Sequence, residues 1–324
     1  MKAIGFFKCD PQTGAESLRD IDIPKPSPTG RDLLVKIEAV SINPVDVKTR
    51  SRVPADKKDA TILGFDGAGV VESVGDQVRN FKPGHEVFYA GTLVRPGTYA
   101  EYHLVDERIV GPKPRTLNFP EAAAVPLTAI TSWEMLFHRL AIPEGLAGAS
   151  VLIVGGTGGV GSMAVQLARQ LTKLTVATTS FDDEQEREWC RRKGADHVLD
   201  HTKPIAAQVA TLNIAPVKFV FSTNMTGHHF PQIAELIAPQ GRFGLIDDPE
   251  PFDLRLIKVK SISTHWENMF TRSIFQTEDM DAQHNLLSRL SKMIDNGQIR
   301  TTQTPPILGG LTTASGSGAR RARW

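Results

Sequence analysis

The sequence has little of what staples, ligates or anchors a protein. Only two of its 324 residues are cysteine, Cys9 and Cys190, far apart and without metal or redox spacing. That argues against a disulfide scaffold and a thiolate metal site, and points to a cytoplasmic protein with free thiols. No run of about 18 apolar residues occurs, so no membrane-spanning segment is expected. The first residues, Met-Lys-Ala-Ile-Gly-Phe-Phe-Lys, are too short and polar a stretch for a signal peptide. Neither charge sign dominates: 37 Lys and Arg against 36 Asp and Glu leave a net +1. Such balance gives no electrostatic case for a nucleic-acid partner. Internal repeats are absent, and no Ser-His-Asp or Tyr-x-x-x-Lys arrangement suggests a ready-made catalytic apparatus.

What the chain does have is a glycine turn in a telling place. Residues 151–161 read Val-Leu-Ile-Val-Gly-Gly-Thr-Gly-Gly-Val-Gly. A β-branched run enters the turn, and an amphipathic helix with Val160, Ala164, Leu167, Ala168 and Leu171 on one face leaves it. Gly156, Gly158 and Gly161 give the G-x-G-x-x-G spacing of a dinucleotide-binding fold. The first allows the tight turn, the second clears the pyrophosphate, and the third lets helix and strand pack. The helix N-terminus then offers free N–H groups to phosphate. An ordinary α/β turn is the plainer reading of the same residues.

A chain of this length exceeds a usual single core, so two domains are expected. The first 115 residues are β-rich, with strand candidates at Leu33–Asn43, Gly67–Val74, Val87–Ala90 and Thr98–Val105. Their spacing suggests a partly closed barrel. Residues 120–140 read as helix, broken or kinked at Pro126. Strands at 151–154, 174–178, 198–199, 217–221 and 242–246 then alternate with helices at 161–171, 183–193 and 230–237. Asp183 and Glu186 have capping-box spacing. Such alternation predicts a doubly wound parallel sheet. The expected division is a first domain of 1–119 and 256–304, and a cofactor domain of 120–255. Residues 305–324, rich in Gly, Ser, Thr and Arg, lack any buriable period and read as a disordered tail, either natural or the product of a frameshift.

With these motifs in this order, residues 1–304 resemble the medium-chain dehydrogenase/reductase superfamily, in the branch of zinc-type alcohol dehydrogenase-like proteins and NADPH quinone oxidoreductases. The resemblance is carried by Ser41-Ile42-Asn43-Pro44-Val45-Asp46, by 64–71 (Gly-Phe-Asp-Gly-Ala-Gly-Val-Val) and by Pro126-Leu127-Thr128. The glycine turn, 194–198 (Gly-Ala-Asp-His-Val) and 265–270 (His-Trp-Glu-Asn-Met-Phe) add to it. It implies a GroES-like catalytic domain, a Rossmann domain, a homodimer and a small-molecule substrate. It also implies that Asn43 and Thr128 lie near the nicotinamide, that Gly159 and Val160 belong to the phosphate turn, and that Ser222, Leu245, Ile246, Met269 and Phe270 line the cofactor channel.

Zinc is not expected despite the family name. Zinc relatives place a cysteine near Ile42-Asn43-Pro44 and a histidine after the glycine at 64, where this chain has Phe65, which has no lone pair to donate. The four-cysteine loop of such relatives is missing from 90–115. His197 and His201 would form a metal pair on a helix, but their segment reads as turn and strand. His228-His229 follows a strand end with no third donor evident. His85 and His103 sit in strand patterns and read as surface or packing residues.

The expected coenzyme is NADPH. Ser180 stands nineteen residues after Gly161, where NAD-binding folds place an acid on the ribose. A serine can bond a 2′-phosphate without repelling it. Asp182 and Asp183 keep NADH open, although a helix cap is the simpler use of either. Relatives follow this serine with an arginine; Phe181 departs from that, leaving Arg187 or Arg191 as the phosphate clamp. The expected reaction is metal-free hydride transfer to a quinone, enone or related carbonyl. Asn43, Asp46 and Lys48 are the catalytic candidates, with Arg50 and Tyr89 as further donors. Asp46 and Lys48 share a face if their segment is extended, and do not if it is helical. A helix cap for Asp46 and a solvated basic run for Lys48 and Arg50 are the plainer readings. Two alternatives stand beside this function: a zinc-type alcohol dehydrogenase, and a non-catalytic NADPH-binding protein of the crystallin type.

Overall fold

The computed structural model describes residues 1–7, 18–52, 59–181 and 183–304. Cys9, Asp182 and the tail from 305 to 324 lie outside the described residues. The chain forms two units. One comprises Met1–Leu127 with the chain from Phe270 onward, the other Thr128–Met269.

In the first unit the strands pair into antiparallel sheets. β1 (Lys2–Phe6) pairs with β2 (Arg19–Asp22) on one side. The short strand Thr61–Ile62, not foreseen in the sequence, is β4 and flanks β1 on the other side. A second sheet joins β3 (Asp32–Val40), β5 (Gly67–Val74), β6 (Glu86–Tyr89), β7 (Tyr102–Asp106) and β8 (Val110–Pro112) in the order β7-β3-β5-β6-β8. Two register shifts between β3 and β5 add twist. This curled, half-barrel sheet closes on Leu33, Val35, Val71, Val87, Val105 and Val110, with Met280 from the late part of the chain. The strand expected at 98–105 begins only at Tyr102; before it there is a single bridge, Ala3 to Ala100. Likewise β3 stops at Val40, and Pro44–Arg52 is a helix.

The second unit is a six-stranded parallel sheet. β9 (Ser150–Val154), β10 (Thr175–Ser180), β11 (His197–Asp200), β12 (Val217–Ser222), β13 (Arg242–Leu245) and β14 (Ser263–Trp266) are ordered β11-β10-β9-β12-β13-β14. β9 is buried along its whole length, as a central strand covered on both faces must be. The chain reverses direction across the sheet between β9 and β12, which makes the carboxyl ends of those strands the switch point.

Three local differences from expectation have clear causes. β14 carries no apolar signal in the sequence because Ser-Thr-His-Trp is polar, as suits a half-solvated edge strand. The helix expected at 230–237 is Thr226–Leu236 and carries Pro231 inside it, where a proline reads as a start signal. The helix read over 120–140 is three pieces. Phe119–Ala123 is capped by Asn118 and Glu121, Pro126–Trp133 restarts at the proline, and Glu134–Arg139 widens to a π-helix. There Met135 packs so closely on β13 that a Cβ at Gly244 would fall 2.2 Å from its sulfur.

Candidate functional site

The glycine turn follows β9 at the switch point. Gly158 caps the helix Gly159–Leu171 in an ordinary extended conformation, φ −68° and ψ 164°. Each glycine has its own reason. A Cβ at Gly156 would fall 2.0 Å from Thr178 Oγ1, and one at Gly161 2.0 Å from the Gly155 carbonyl oxygen. Both hold strand, turn and helix together. A Cβ at Gly158 would meet nothing nearer than 3.5 Å, so this glycine faces open space above the helix N-terminus. Open space of this kind above a helix N-terminus, where first-turn N–H groups have no intrahelical acceptor, can take a phosphate. Thr128 lies against the same turn, its Cγ2 3.0 Å from where a Gly159 Cβ would stand. Ser132 Oγ donates to the carbonyls of Thr128, at 2.7 Å, and of Val160, at 2.9 Å, tying the two helices together.

Other predicted cofactor residues sit at carboxyl ends of the parallel strands, where open α/β sheets bind ligands. Ser222 ends β12 and shares a 2.7 Å hydrogen bond with Thr226 Oγ1. Leu245 ends β13 in the core, and the half-buried Ile246 follows it. Met269 is buried beyond β14. Ser180 ends β10, but its hydroxyl does not wait for a ligand. It is buried and donates to Glu186 Oε2 at 2.8 Å. The capping box is therefore half formed: Asp183 accepts from the Glu186 N–H, while the Glu186 carboxylate turns to Ser180.

The first unit holds a buried polar cluster. Asp46, in the first turn of Pro44–Arg52, accepts from the backbone N–H of Asn43 at 2.8 Å and of Gly64 at 3.0 Å. Asp66 accepts from Asn43 Nδ2 at 2.8 Å and from the Leu127 N–H at 2.8 Å. Thr98 Oγ1 donates to the Asp66 carbonyl at 2.7 Å. Burial pushes Asp46 up to about 6 and Asp66 well above the carboxylate range. Tyr99 is also pushed up, first by burial and then by the neighbouring Asp46 charge; its hydroxyl lies near that carboxylate without forming a well-aligned hydrogen bond. Phe65 is buried between these acids in sequence, edge-on to Phe270 at 5.6 Å.

Asn43 and Asp46 are thus brought together, and Lys48 is not. Residues two apart on a helix do not face each other, and Lys48 is exposed while Asp46 is buried. Tyr89, offered above as a donor, is fully buried and stacked on His103 at 5.5 Å. Its hydroxyl meets His103 Nδ1 at 3.1 Å, so it belongs to the core. In the sequence Asp66 stands out only as part of the 64–71 motif. The signal that could have singled it out is an acid immediately preceding an apolar strand, a position that burial allows only with partners.

Comparison with known proteins agrees with this architecture. Residues 29–115 match the alcohol dehydrogenase GroES-like domain, and 159–287 match the zinc-binding dehydrogenase domain. A zinc-type alcohol dehydrogenase-like protein of Staphylococcus aureus is 39% identical over 308 residues, covering 94% of this chain and 91% of that protein. The chain belongs to the medium-chain dehydrogenase/reductase superfamily. Among solved structures, a putative zinc-dependent alcohol dehydrogenase of Rhizobium etli superposes with a TM-score of 0.91 at 53% identity, over 98% of this chain and 93% of that one. Mouse quinone oxidoreductase is 35% identical over 203 residues, 62% of this chain and 58% of its own length.

The zinc in the names of these dehydrogenase relatives does not fit the residues found here. Tetrahedral zinc takes thiolate, imidazole or carboxylate donors that converge. Asn43 and Phe65 offer neither thiolate nor imidazole, and the oxygens of Asp46 and Asp66 already accept from N–H groups. His197 lies within β11 and His201 just beyond it, so they do not form a helical pair. The His229 ring does neighbour those of His201 and His228, at 5.9 and 4.8 Å between centroids. Burial lowers His229 to about 4. Among the described residues no group of three or more His, Cys, Asp or Glu could hold a metal ion. By contrast the open cradle at Gly158 fits a dinucleotide. No helix among the described residues is long and apolar enough to cross a membrane.

Proposed function

We propose that this dehydrogenase/reductase moves a hydride between a nicotinamide coenzyme and a quinone, enone or related activated carbonyl, without a metal. The observation that supports the reading is the Asn43-Asp46-Asp66 cluster: each of its four carboxylate oxygens accepts from an N–H group, so the acids are tied into the fold and are not presented as a convergent ligand set. An unactivated alcohol is hard to deprotonate without a metal. A quinone or enone is already electrophilic and needs only orientation, hydrogen bonds and a proton. The mouse relative named quinone oxidoreductase supports the same choice.

In this reading the unit Thr128–Met269 binds the coenzyme. The reduced nicotinamide supplies the hydride. Gly156, Gly158, Gly159, Val160 and Gly161 cradle the pyrophosphate, and Thr128 sits against that turn. Ser222, Leu245, Ile246, Met269 and Phe270 shape the channel. Asn43 and Asp46 position the loop that carries them, and Lys48, exposed on the same helix, offers a proton to the acceptor oxygen. The coenzyme expected from Ser180 is NADPH; the Glu186 carboxylate on that serine argues for NADH. A homodimer in the cytoplasm, acting on a small molecule, completes the proposal.

The test is coenzyme oxidation with a panel of quinones and enones, beside alcohol oxidation with the oxidised coenzymes. Turnover of the former with little of the latter is the expected result. Alcohol oxidation abolished by a chelator would favour the zinc dehydrogenase. Coenzyme binding without any turnover would favour the crystallin type.

A further inference from the structure

NADH and NADPH differ at one place, the 2′ position of the adenosine ribose. In a doubly wound sheet that ribose lies at the carboxyl end of the second strand, beside the glycine turn. Here the strand is β10, and the turn is fastened to its last residues. Gly156 N–H donates to the Thr179 carbonyl at 3.0 Å, and Gly155 N–H to Thr179 Oγ1 at 2.9 Å. A pyrophosphate in the cradle therefore brings its ribose next to Ser180.

The groups around that strand end are mostly acidic. Ser180 Oγ donates to Glu186 Oε2, Glu184 lies with Glu186 in the first turn of the helix Glu184–Lys193, and Asp183 caps that helix. The two arginines expected to clamp a phosphate have protein partners. Arg187 Nη1 donates to the Val198 carbonyl at 3.2 Å. Arg191 pairs with Glu184 at 2.7 Å and Glu188 at 3.7 Å. Phe181, which follows the serine, lies edge-on to the His201 ring at 4.3 Å.

We propose that Glu186, held at the end of β10 by the Ser180 hydroxyl, selects NADH by accepting a hydrogen bond from the ribose 2′-hydroxyl and repelling a 2′-phosphate. This rests on the nicotinamide reading above. Ser180 is then a positioning residue rather than the phosphate ligand that the sequence suggested. The carboxylate comes from the first turn of the next helix instead of the strand end itself, and reaches the same place by folding back onto the serine.

Titration of the whole protein with NADH and NADPH, followed by nicotinamide fluorescence, tests the assignment. The wild type should bind NADH about tenfold or more tightly than NADPH. Glu186→Gln keeps an acceptor for Ser180 but removes the charge. It should tighten NADPH about tenfold and change NADH only a few-fold. Ser180→Ala should weaken NADH while leaving NADPH poorly bound, because it loosens the carboxylate without removing it. Far-UV circular dichroism and Tm verify that each variant is folded. A wild type that prefers NADPH overturns the proposal, as does a Glu186→Gln variant with an unchanged coenzyme ratio. Failure of both coenzymes to bind would overturn the nicotinamide reading itself, and the selector with it.

Discussion

Asn43 gives its side-chain amide to Asp66 at 2.8 Å, in surroundings where neither residue is more than 6% exposed. The same asparagine gives its backbone N–H to Asp46. One residue therefore bridges two buried acids, and the segment Asn43–Arg52 is fixed to the loop before β5. Such a cluster is costly to leave half satisfied.

Asp46→Asn tests this directly. Its two oxygens accept from two backbone N–H groups, and an asparagine must turn an NH2 toward one of them. The expected loss is about 1–3 kcal/mol. Urea denaturation measures it, and an unchanged midpoint would contradict the described hydrogen bonds.

The glycine turn separates two kinds of substitution. Gly158→Val adds a side chain where 3.5 Å of clearance exists and the backbone is already extended. The fold should survive, with a near-native circular dichroism spectrum. Coenzyme affinity should fall about tenfold or more, because the methyls occupy the pyrophosphate cradle. Gly161→Ala drives a Cβ to 2.0 Å from the Gly155 oxygen and should lower Tm instead.

Metal content is the third test. The described residues offer no convergent ligand set. Purified protein should carry well below one zinc per chain by mass spectrometry, and a chelator should leave reduction of an activated carbonyl intact. Stoichiometric zinc whose removal stops turnover would contradict the proposed chemistry.

A fourth prediction concerns pH. Glu267 is buried beside Glu134, and Arg139 Nε donates to it at 2.7 Å. Burial, and then the Glu134 charge, push it up to about 8. Between about 4.5 and 8 the folded chain therefore holds a proton that the unfolded chain has released. Stability should fall as pH rises through that window. Asp46 acts in the same sense up to about 6. Glu267→Gln still accepts from Arg139 and should flatten the slope between pH 6 and 8, by roughly 2–4 °C in Tm. Thermal melts of both proteins across that range decide it.

Some of this was legible in the sequence and some could not be. β9 to β13 announced themselves through apolar runs between turn residues, and the turn at 155–161 through its spacing. β14 did not, because an edge strand needs no apolar face. The link from Asp66 to Asn43 and Leu127 joins residues 23 and 61 positions apart, beyond the reach of any local period. Glu186 was visible at capping spacing, but spacing could not tell that its carboxylate would choose Ser180. Asp46 and Lys48 turned on a single local question, strand or helix, and the helix starting at Pro44 separated them.

The order of the units along the chain also governs when each can fold. The sheet core that includes Leu33 and Val87 is completed by Met280, and Thr301 and Thr302 donate to the carbonyls of Glu121 and Ala124. All of these closing residues are made after the 128–269 unit. On a ribosome adding 5–20 residues per second, roughly 8 to 38 seconds pass between the last strand of the early sheet and its closing residues. The interrupted half-barrel must wait through that interval with part of its core uncovered. The parallel-sheet unit is continuous in sequence and can finish first. Chains truncated after residue 269 and released from the ribosome should therefore contain a protease-resistant parallel sheet and an N-terminal segment that is still open to chaperones.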